Sequence, residues 1–470
     1  MIVKKILPIM LALALCFPAA NASALGATND YYVSPNGDNA NSCTFAAPCQ
    51  TIQKGVDMLQ AGDTLHIMEG VYSEAVTISK VGMQIAPIRI VGEGAVLQGG
   101  GVNAFSVINS EWVTFEGLTI TDYAASDFRL RQSHYLTFRN NKLEFTYAAI
   151  LVLDGVSHLL IENNEMYQTY PQGSTWSTLK KSKYEGAGVY ASSQAQGMYY
   201  IRNNFFHDSM NGVYFADSGK GNWMNANVFI SGNTFQNIVD DPFEPEGDSF
   251  NLHFFNNKLI NTHRMVSIVP ASTCVGPIFV YGNYQHDTID PTGEAASRGR
   301  RNSAVKLNMK GGACPNGVWI FNNTVRANVA GINFFAVDHI TNPNVEHMYL
   351  LNNVFVTEMN AYSLAPTITE GDFNFNISLK PFGYAEMSGI QSDPLLNDDG
   401  TLSDLSPAKG KAASIVINAY FSAPQIVPAG ADLGAFKNFP EPVYVVPPDG
   451  EPESFPANVP GWPDAPLPPL

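Results

Sequence analysis

Four acidic side chains lie within seven residues of the segment VDDPFEPEGD, at Asp240, Asp241, Glu244 and Glu246. Carboxylates this close repel one another unless something compensates. A hard cation such as Ca²⁺ takes oxygen ligands, and glutamates two positions apart on a strand face the same side. Alternatively, one carboxyl carries a raised pKa and serves as a general acid. A solvated acidic turn is the plainer interpretation, but Phe243 marks the segment as a core strand, so we favour a functional role.

Basic side chains that could complement these acids follow at His263, Arg264 and Lys306. A base can remove the proton beside a carboxylate when cations neutralise that carboxylate. Lys306, in SAVKLN, could be this base, and Arg264 or a calcium ion could hold the carboxylate. The alternative is a structural ion pair, in which Lys306 or Arg264 bridges to Glu244.

The segment EAASRGRRNSAVK contains the dense basic run Arg298, Arg300 and Arg301. A guanidinium group suits carboxylate or sulfate groups on a glycan, although a solvated loop is the commoner fate of short charged runs. Tyr190 and Tyr214 could stack on sugar faces, or they could form ordinary aromatic pairs between strands. We predict that these five residues bind substrate.

These candidates lie within a phrase that occurs nine times between Trp112 and Glu358: an apolar run, then usually Asn-Asn or Gly-Asn, then a second apolar run. Alternating apolar and polar residues predict strands. Asn and Gly adopt the left-handed conformation of a sharp corner at least cost, and stacked Asn amides can bond to one another. Steps of 23 to 40 residues fit the turns of a solenoid. The second residues of the central pairs are Gly117, Asn141, Asn164, Asn204, Asn233, Asn257, Asn283, Asn323 and Asn353.

The strands that follow these corners can be aligned from turn to turn by their apolar residues. The alignment predicts one outward column that joins the acids, the lysine and the tyrosines. Its inward positions are Ile150, Val189, Val213, Phe243, Val266, Val305 and Ile332. Its outward positions are Leu151, Tyr190, Tyr214, Glu244, Ser267, Lys306 and Asn333.

The repeated asparagines resemble the ladder of the pectate lyase-like superfamily of right-handed parallel β-helices. The start of the chain, YYVSPNGDNANSC onward, and the segment SDPLLNDDGTLSDLSPAKGKAAS also resemble the ends of such secreted proteins. The resemblance implies an all-β solenoid with an N-terminal cap over about 31–75, in which a short amphipathic stretch near Thr51–Leu59 covers the open end. Repeats over about 76–360 and a closing segment over 361–438 would complete one domain from 25 to 438. The proline-rich 439–470 favours a disordered tail.

The resemblance leaves three functions open, and we favour the first narrowly. Glu244 and Glu246 resemble the calcium-binding acids of alginate and chondroitin lyases, which implies Ca²⁺ held with Asp240 and cleavage of an acidic glycan by elimination. Asn251 and Ser272 lie near the places where those families have Lys and Arg, so we assign catalysis to Lys306 and Arg264 from their position beside the acids. Asp240 and Asp241 are also similar to the catalytic strand of polygalacturonases, and His263 and Lys306 follow in that family's order. That implies an inverting hydrolase with Asp241 and His263 as catalytic residues. A non-catalytic glycan-binding β-helix is the third possibility.

Composition and the N-terminus indicate an exported protein. Residues 1–24 contain Lys4, Lys5 and an apolar run followed by small residues, as in a secretory leader, and no other segment could span a bilayer. The formal charge of −16 argues against a nucleic-acid partner. We expect a monomer.

Four cysteines remain after cleavage of the leader. In an oxidising compartment an even number suggests two bridges. Cys43–Cys49 would close a small loop in the cap, and Cys274–Cys314 would join two inserted loops.

Overall fold

The computed structural model describes residues 28–192, 195, 197–216, 225–246, 249–269, 276–286, 302–307, 317–327, 332–337, 344–345, 347–357, 360–363, 367–368, 371–383, 385–417, 425–435 and 439. These residues form two short helices, α1 (Ile52–Met58) and α2 (Trp176–Leu179). The strands are β1 (Asp30–Val33), β2 (Thr64–Tyr72), β3 (Val76–Ile78), β4 (Ile88–Gln98), β5 (Asn103–Ile108), β6 (Val113–Glu116), β7 (Thr119–Thr121), β8 (Ser126–Arg131), β9 (His134–Arg139), β10 (Lys142–Phe145), β11 (Ala148–Val152), β12 (Ser157–Glu162), β13 (Glu165–Gln168), β14 (Ala187–Ala191), β15 (Gly197–Arg202), β16 (Phe205–His207), β17 (Asn211–Phe215), β18 (Asn225–Ser231), β19 (Thr234–Gln236), β20 (Phe243–Pro245), β21 (Ser249–Phe255), β22 (Lys258–Ile260), β23 (Val266–Ile268), β24 (Ile278–Tyr281), β25 (Tyr284–His286), β26 (Asn302–Leu307), β27 (Val318–Phe321), β28 (Thr324–Arg326), β29 (Ile332–Val337), β30 (Asn344–Val345), β31 (Met348–Leu351), β32 (Val354–Val356), β33 (Tyr362–Ser363), β34 (Thr367–Ile368), β35 (Gly371–Asn374), β36 (Ile377–Ser378), β37 (Ile390–Gln391), β38 (Ile415–Ile417) and β39 (Gln425–Val427).

A typical turn of the chain contributes one strand to each of three faces. In one turn, β12 lies on the first face, β13 on the second and β14 on the third. Each pairs in parallel with its equivalents one turn before and one turn after: β12 with β9 and β15, β13 with β10 and β16, and β14 with β11 and β17. The third face starts at β3 and runs through β20, and its path continues through β23, β26, β29 and β33. The fold is therefore the predicted parallel β-helix.

At the corner between the first and second faces, two neighbouring residues have different roles. The first residue takes the left-handed conformation that lets the chain turn sharply. The second donates its side-chain amide to the next asparagine of the stack, as Asn141 Nδ2 does to Asn164 Oδ1 at 2.9 Å. The left-handed residues are Gly117, Asn140, Asn163, Asn203, Gly232, Asn256, Gly282, Asn322, Asn352 and Phe375. The ladder residues are Asn141, Asn164, Asn204, Asn233, Asn257, Asn283, Asn323, Asn353 and Asn376.

Two details of the predicted ladder need correction. Gly117 is a left-handed corner residue, and the position level with Asn141 belongs to Leu118, whose backbone N–H donates to Asn141 Oδ1 at 3.0 Å. The predicted series also stopped one turn early, because Asn376 accepts from Asn353. The phrase around Phe375 has an aromatic residue where the other copies have Asn or Gly, and this change hid the last copy.

The interior of the coil is filled by apolar columns, since inward residues stack on their equivalents in neighbouring turns. Phe115 stacks on Phe138 with ring centroids 5.1 Å apart, and Phe206 stacks on Phe235 at 4.8 Å. All four rings are fully buried. No single turn could bury such a face alone, so the stability of each turn depends on its neighbours.

The amphipathic stretch of the cap forms the helix α1, which begins after its N-cap Thr51. Its buried Ile52 and Val56 belong to the same apolar cluster as the first strands of the coil. A Cβ atom at Gly55 would approach Leu65 Cδ1 to 2.5 Å. A larger residue here would therefore force the buried Leu65 side chain to shift.

The closing segment packs along the side of the coil. Ala408, Ala412 and the antiparallel pair β38 and β39 form a second apolar cluster with outward aromatic rings of the first face. Phe439 lies edge-on to Tyr281, with ring centroids 4.8 Å apart. The predicted tail beyond it lies outside the described residues.

Candidate functional site

The third face brings the predicted column together. Tyr190 pairs with Tyr214, and Tyr214 pairs with Glu244 on the next turn. A bridge between Glu246 and Val269 carries this register to β23, where Ser267 pairs with Lys306. The column is therefore continuous in register from Tyr190 to Lys306, across about four strand spacings or ~19 Å.

The last predicted member of the column was wrong by three residues. Lys306 pairs with Ala336, whereas Asn333 pairs with Ser303. Similarly, Val305 pairs with Phe335 and not with Ile332. The strand INFFAV has few polar residues to mark its outward positions, so its register could not be read from alternation.

The acidic turn before and within β20 is buried. Asp240, Asp241 and Glu244 expose only 3%, 1% and 4% of their surface. A solvated acidic turn, the plainer of the two interpretations, is therefore excluded. Burying carboxylates is costly unless cations, protons or hydrogen bonds compensate.

Asp240 is neutralised by a residue from an insertion. Lys180 lies just after α2, in the segment 169–186 that joins β13 to β14, and its Nζ is 3.0 Å from Asp240 Oδ2. The indole N–H of Trp176 also donates to Asp240. Burial would raise the pKa of Asp240, but the charges of Lys180 and Arg264 outweigh this effect and hold it well below its ordinary value.

Asp241 faces the guanidinium of Arg264 on the next turn, with Arg264 Nε 3.5 Å from Asp241 Oδ1. Both side chains are only 1% exposed, and Arg264 is among the largest fully buried side chains of the described residues. In this arrangement Arg264 serves a buried ion pair and is not presented to solvent. Its predicted catalytic role stays a prediction.

Glu244 has no matching cation in contact among the residues that the structure describes. Its Oε2 is buried and accepts no hydrogen bond from any of them. Burial, and then repulsion from Asp241 and Asp240, raise the pKa of Glu244 well above its ordinary value, against the opposing charges of Lys180 and Lys306. The site therefore contains one more buried carboxyl than the cations in direct contact can compensate.

The rim of the site is more accessible. Tyr214 donates its hydroxyl to Glu246 Oε2 at 2.7 Å, and its ring meets Tyr190 edge-on with centroids 4.8 Å apart. Lys306 is partly exposed and has no ion pair with any residue that the structure describes. A partly exposed lysine thus lies in the same column as the buried Glu244, two strands away, and as the ridge formed by Tyr190 and Tyr214, whose nearer member Tyr214 is three strands away.

The remaining predicted residues are placed as follows. His263 is buried at the corner before β23. The predicted disulfide between Cys43 and Cys49 is confirmed. Arg298, Arg300, Arg301, Cys274 and Cys314 lie outside the described residues, as does the leader 1–24.

Lys180 was missed at the sequence level. The 40-residue step from Asn164 to Asn204 showed only that a loop is inserted there. The loop is fixed by a small apolar cluster of Leu179, Met210 and Val239, against which Trp176 packs. A contact between residues 60 positions apart depends on this packing, which no repeat pattern encodes.

The comparisons with known proteins agree with this architecture. A family model described as a right handed beta helix region matches residues 96–273. Pectate lyase L of Dickeya dadantii (strain 3937) is 24% identical over 451 residues, which cover 88% of this chain and 92% of that protein. The chain therefore resembles pectate lyases over most of its length and has the fold of a right-handed parallel β-helix.

One further relative matches over a shorter stretch, and one solved structure is similar at lower sequence identity. The uncharacterized protein YwoF of Bacillus subtilis (strain 168) is 28% identical over 169 residues, which span 33% of this chain and only 32% of that protein. The crystal structure of pectate lyase Pel9A superimposes with a TM-score of 0.46 at 15% identity, covering 88% of this chain and 97% of its own.

The acidic cluster of this pectate lyase-like β-helix can be tested for its fit to a cation. Its donors are all carboxylate oxygens, and Asp241 Oδ1 and Glu244 Oε2 are buried without hydrogen-bond partners. This donor chemistry suits a hard cation such as Ca²⁺. As the side chains stand, however, no three acidic, His or Cys residues of the described segments are close enough to hold a metal ion.

Glu246, which was predicted as a metal ligand, accepts the Tyr214 hydroxyl at the rim. The calcium site stays a prediction. None of the helices in the described part of the chain is long and apolar enough to cross a membrane.

Proposed function

We propose that this protein is an exported polysaccharide lyase that cleaves an acidic, uronate-containing glycan by β-elimination at the third face. The observation that carries the proposal is Lys306, a partly exposed lysine without an ion pair to a described residue, in one column with Glu244 and the tyrosine ridge. The likeness to pectate lyase L over most of both chains supports the same class of reaction.

In the proposed reaction, the Lys306 side chain removes the C5 proton of a uronate residue. The electrons of that C–H bond form a double bond between C4 and C5, and the bond from C4 to the glycosidic oxygen breaks. The leaving oxygen takes a proton from solvent. Tyr190 and Tyr214 would offer their partly exposed rings to neighbouring sugars.

The proton at C5 becomes acidic only when the neighbouring carboxylate is neutralised. Asp240, Asp241 and Glu244 are the residues that would hold a divalent cation for this purpose, because they form the buried cluster in which Asp241 Oδ1 and Glu244 Oε2 accept no hydrogen bond from a described residue. A bound cation would withdraw electron density from the substrate carboxylate. The basic run from Arg298 to Arg301 could pair with further carboxylates along the glycan.

An inverting hydrolase, the alternative function, is less well supported. Such an enzyme needs one carboxyl to protonate the leaving oxygen and another to activate water, both in reach of the sugar. Asp240 and Asp241 are buried against Lys180 and Arg264, so neither is presented to a substrate.

The decisive experiment is incubation of the mature protein with alginate, pectate, chondroitin and other polyuronates, with and without calcium. β-Elimination creates an unsaturated uronate, which is detected by its ultraviolet absorbance. New reducing ends without that absorbance would indicate hydrolysis instead. Binding without cleavage across the whole panel would favour a glycan-binding protein and would contradict the proposal.

A further inference from the structure

The insertion 169–186 reaches over the acidic cluster and supplies its cation. Lys180 Nζ lies 3.0 Å from Asp240 Oδ2 and 3.3 Å from Glu185 Oε1, and it stands over the Trp176 ring at 5.6 Å from the centroid. Lys180 keeps 28% of its side chain exposed, whereas Asp240 is buried. The ammonium group therefore closes the acidic cluster from the solvent side.

The cluster beneath Lys180 is incompletely satisfied. Within the described part of the chain, Glu244 Oε2 has no hydrogen-bond partner and Asp241 Oδ1 has only its 3.5 Å ion pair with Arg264 Nε, although each residue is more than nine-tenths buried. One ammonium and one guanidinium face three carboxyls. A divalent cation would bring one more positive charge than Lys180 and could coordinate several of these oxygens at once.

We propose that Lys180 and a divalent cation compete for Asp240, so that calcium binding displaces the Lys180 ammonium and loosens the insertion 169–186 from the acidic cluster. The inference rests on the cation binding that forms part of the proposed function. It explains why an all-oxygen donor set is not arranged for a metal while Lys180 is in place. Glu185, already 3.3 Å from the ammonium, would remain as its partner after the exchange.

The exchange predicts a change at Trp176. Its indole N–H donates to Asp240 in the lysine-bound arrangement, and a cation on that carboxylate would remove this acceptor. The indole would then lose a charged hydrogen-bond partner, so its fluorescence emission should shift. Trp176→Phe identifies the part of the signal that comes from this ring.

The experiment is a titration of the calcium-free, full-length protein with calcium chloride, followed by calorimetry and by tryptophan fluorescence. Lys180→Met removes the competing charge, and we expect it to bind calcium about tenfold more tightly or more, because a unit charge at contact distance is worth several kcal/mol at a partly buried site. Lys180→Arg keeps the charge and should bind like the wild type. Lys142→Met, which removes the lysine paired with Glu165 on the second face, is the matched control.

Three results would overturn the inference: equal calcium affinity in the wild type and Lys180→Met, weaker binding in Lys180→Met, or no binding by either protein. An unchanged Trp176 signal during calcium binding by the wild type would also contradict it. Because the titration needs no glycan, it separates this inference from the proposed function. A lyase that binds calcium equally well with and without Lys180 would keep the function and refute the competition.

Discussion

Asp240, Asp241 and Glu244 are close in sequence, yet the structure gives each a different electrostatic state. Asp240 meets an ammonium and Asp241 meets a guanidinium, while Glu244 faces mainly its two acidic neighbours. A buried carboxyl that faces mainly other carboxyls is either protonated or able to bind a further cation. An excess of buried carboxyls over cations destabilises a purely structural ion-pair network. At a functional site, the same excess allows a cation or a proton to be bound and released.

Glu244→Gln should stabilise the protein near neutral pH while weakening calcium binding. The raised pKa of Glu244 means that the folded state favours the protonated carboxyl. Its contribution to stability is therefore fully present below its ordinary pKa of 4.5 and is lost as the pH rises towards the raised value. Glutamine is neutral at every pH. The free energy of unfolding of Glu244→Gln should therefore exceed that of the wild type by about 1.4 kcal/mol for each pH unit above 4.5, until the raised pKa of Glu244 is reached.

Urea unfolding across the acidic to neutral range measures this difference. The stabilities of wild type and Glu244→Gln should converge below pH 4.5 and separate above it. A variant that is less stable than the wild type at neutral pH would show that Glu244 is ionised and well compensated in the folded protein.

Lys306→Met should reduce the elimination rate by about 10²–10⁴-fold, the usual contribution of a general base. The methionine keeps most of the length and apolar contacts of the lysine, so the fold and the affinity for the glycan should change little. Steady-state kinetics measures the elimination rate and the affinity for the glycan, and far-ultraviolet circular dichroism checks that the fold is unchanged. Lys258→Met is the control, because Lys258 is an exposed lysine of β22 on the second face. Activity of Lys306→Met close to that of the wild type would remove Lys306 from the mechanism.

Among the elements, the corner between the first and second faces shows how one dipeptide can carry two separate requirements. Asn163 needs only the left-handed conformation, which it adopts with φ of 57°. Asn164 needs its amide: its Nδ2 donates to Phe138 O and Asn204 Oδ1, and its Oδ1 accepts from the backbone and side chain of Asn141. The two asparagines are therefore not equivalent.

Asn164→Ala should cost about 2–4 kcal/mol of unfolding free energy, because it leaves buried partners in the two neighbouring turns unsatisfied. Asn163→Gly should change stability by no more than about 1 kcal/mol, since glycine adopts positive φ readily. Chemical denaturation of both variants provides the comparison. Equal losses would mean that the ladder adds nothing beyond the corner geometry.

The same elements show what the repeat could predict. Alternation and the paired asparagines were sufficient for the strands, the ladder and the column from Tyr190 to Lys306, because each copy repeats the same local physics. The register of β29 failed because its apolar sequence carries no alternation, and Gly117 was assigned one position early because Leu118 replaces the ladder asparagine. Lys180 could not be found, because its contact arises from the tertiary packing of a non-repeated insertion.

On the scale of the whole molecule, the first face carries a second aromatic column on its outer side. His253 belongs to it, lying 4.8 Å from the Phe229 ring and 4.7 Å from the Phe279 ring. The imidazole Nε2 is 2.8 Å from Asn251 Oδ1, and Nδ1 is 3.2 Å from the Tyr281 hydroxyl. Burial lowers the pKa of His253 to about 3, so it is neutral in the folded protein.

This buried imidazole should make the coil sensitive to acid. A histidine with a lowered pKa contributes stability that is fully present above its ordinary value of 6.5 and is lost as the pH falls towards about 3. The expected loss is about 1.4 kcal/mol for each pH unit in that interval. His253→Phe should make the stability depend less on pH in this interval, although the variant loses two hydrogen bonds. Thermal unfolding of both proteins over the same pH range measures the difference.

His207 provides a control of opposite sign. Burial would lower its pKa, but its contacts with Asp208 and Glu165 outweigh burial and raise it. Its contribution is therefore present at low pH and lost as the pH rises through the raised value. His207→Phe should not reduce the sensitivity to acid. If His253→Phe unfolds in acid as steeply as the wild type, the loss originates elsewhere in the chain.

The ladder corner never changes length, whereas the connections at the two ends of the third face do. Segment 169–186 enters before β14, segment 287–301 before β26, and segment 308–317 follows β26. Added residues can enter at these two edges without breaking the asparagine stack, because the stack lies on a different corner. Two turns whose strands follow the same path can therefore have loops of different length at the ends of the third face. The asparagine corner keeps the register of the turns, whereas the loops on either side of the third face can vary in length and sequence. Evolution or engineering can therefore change the specificity of the third face without disturbing the register of the coil.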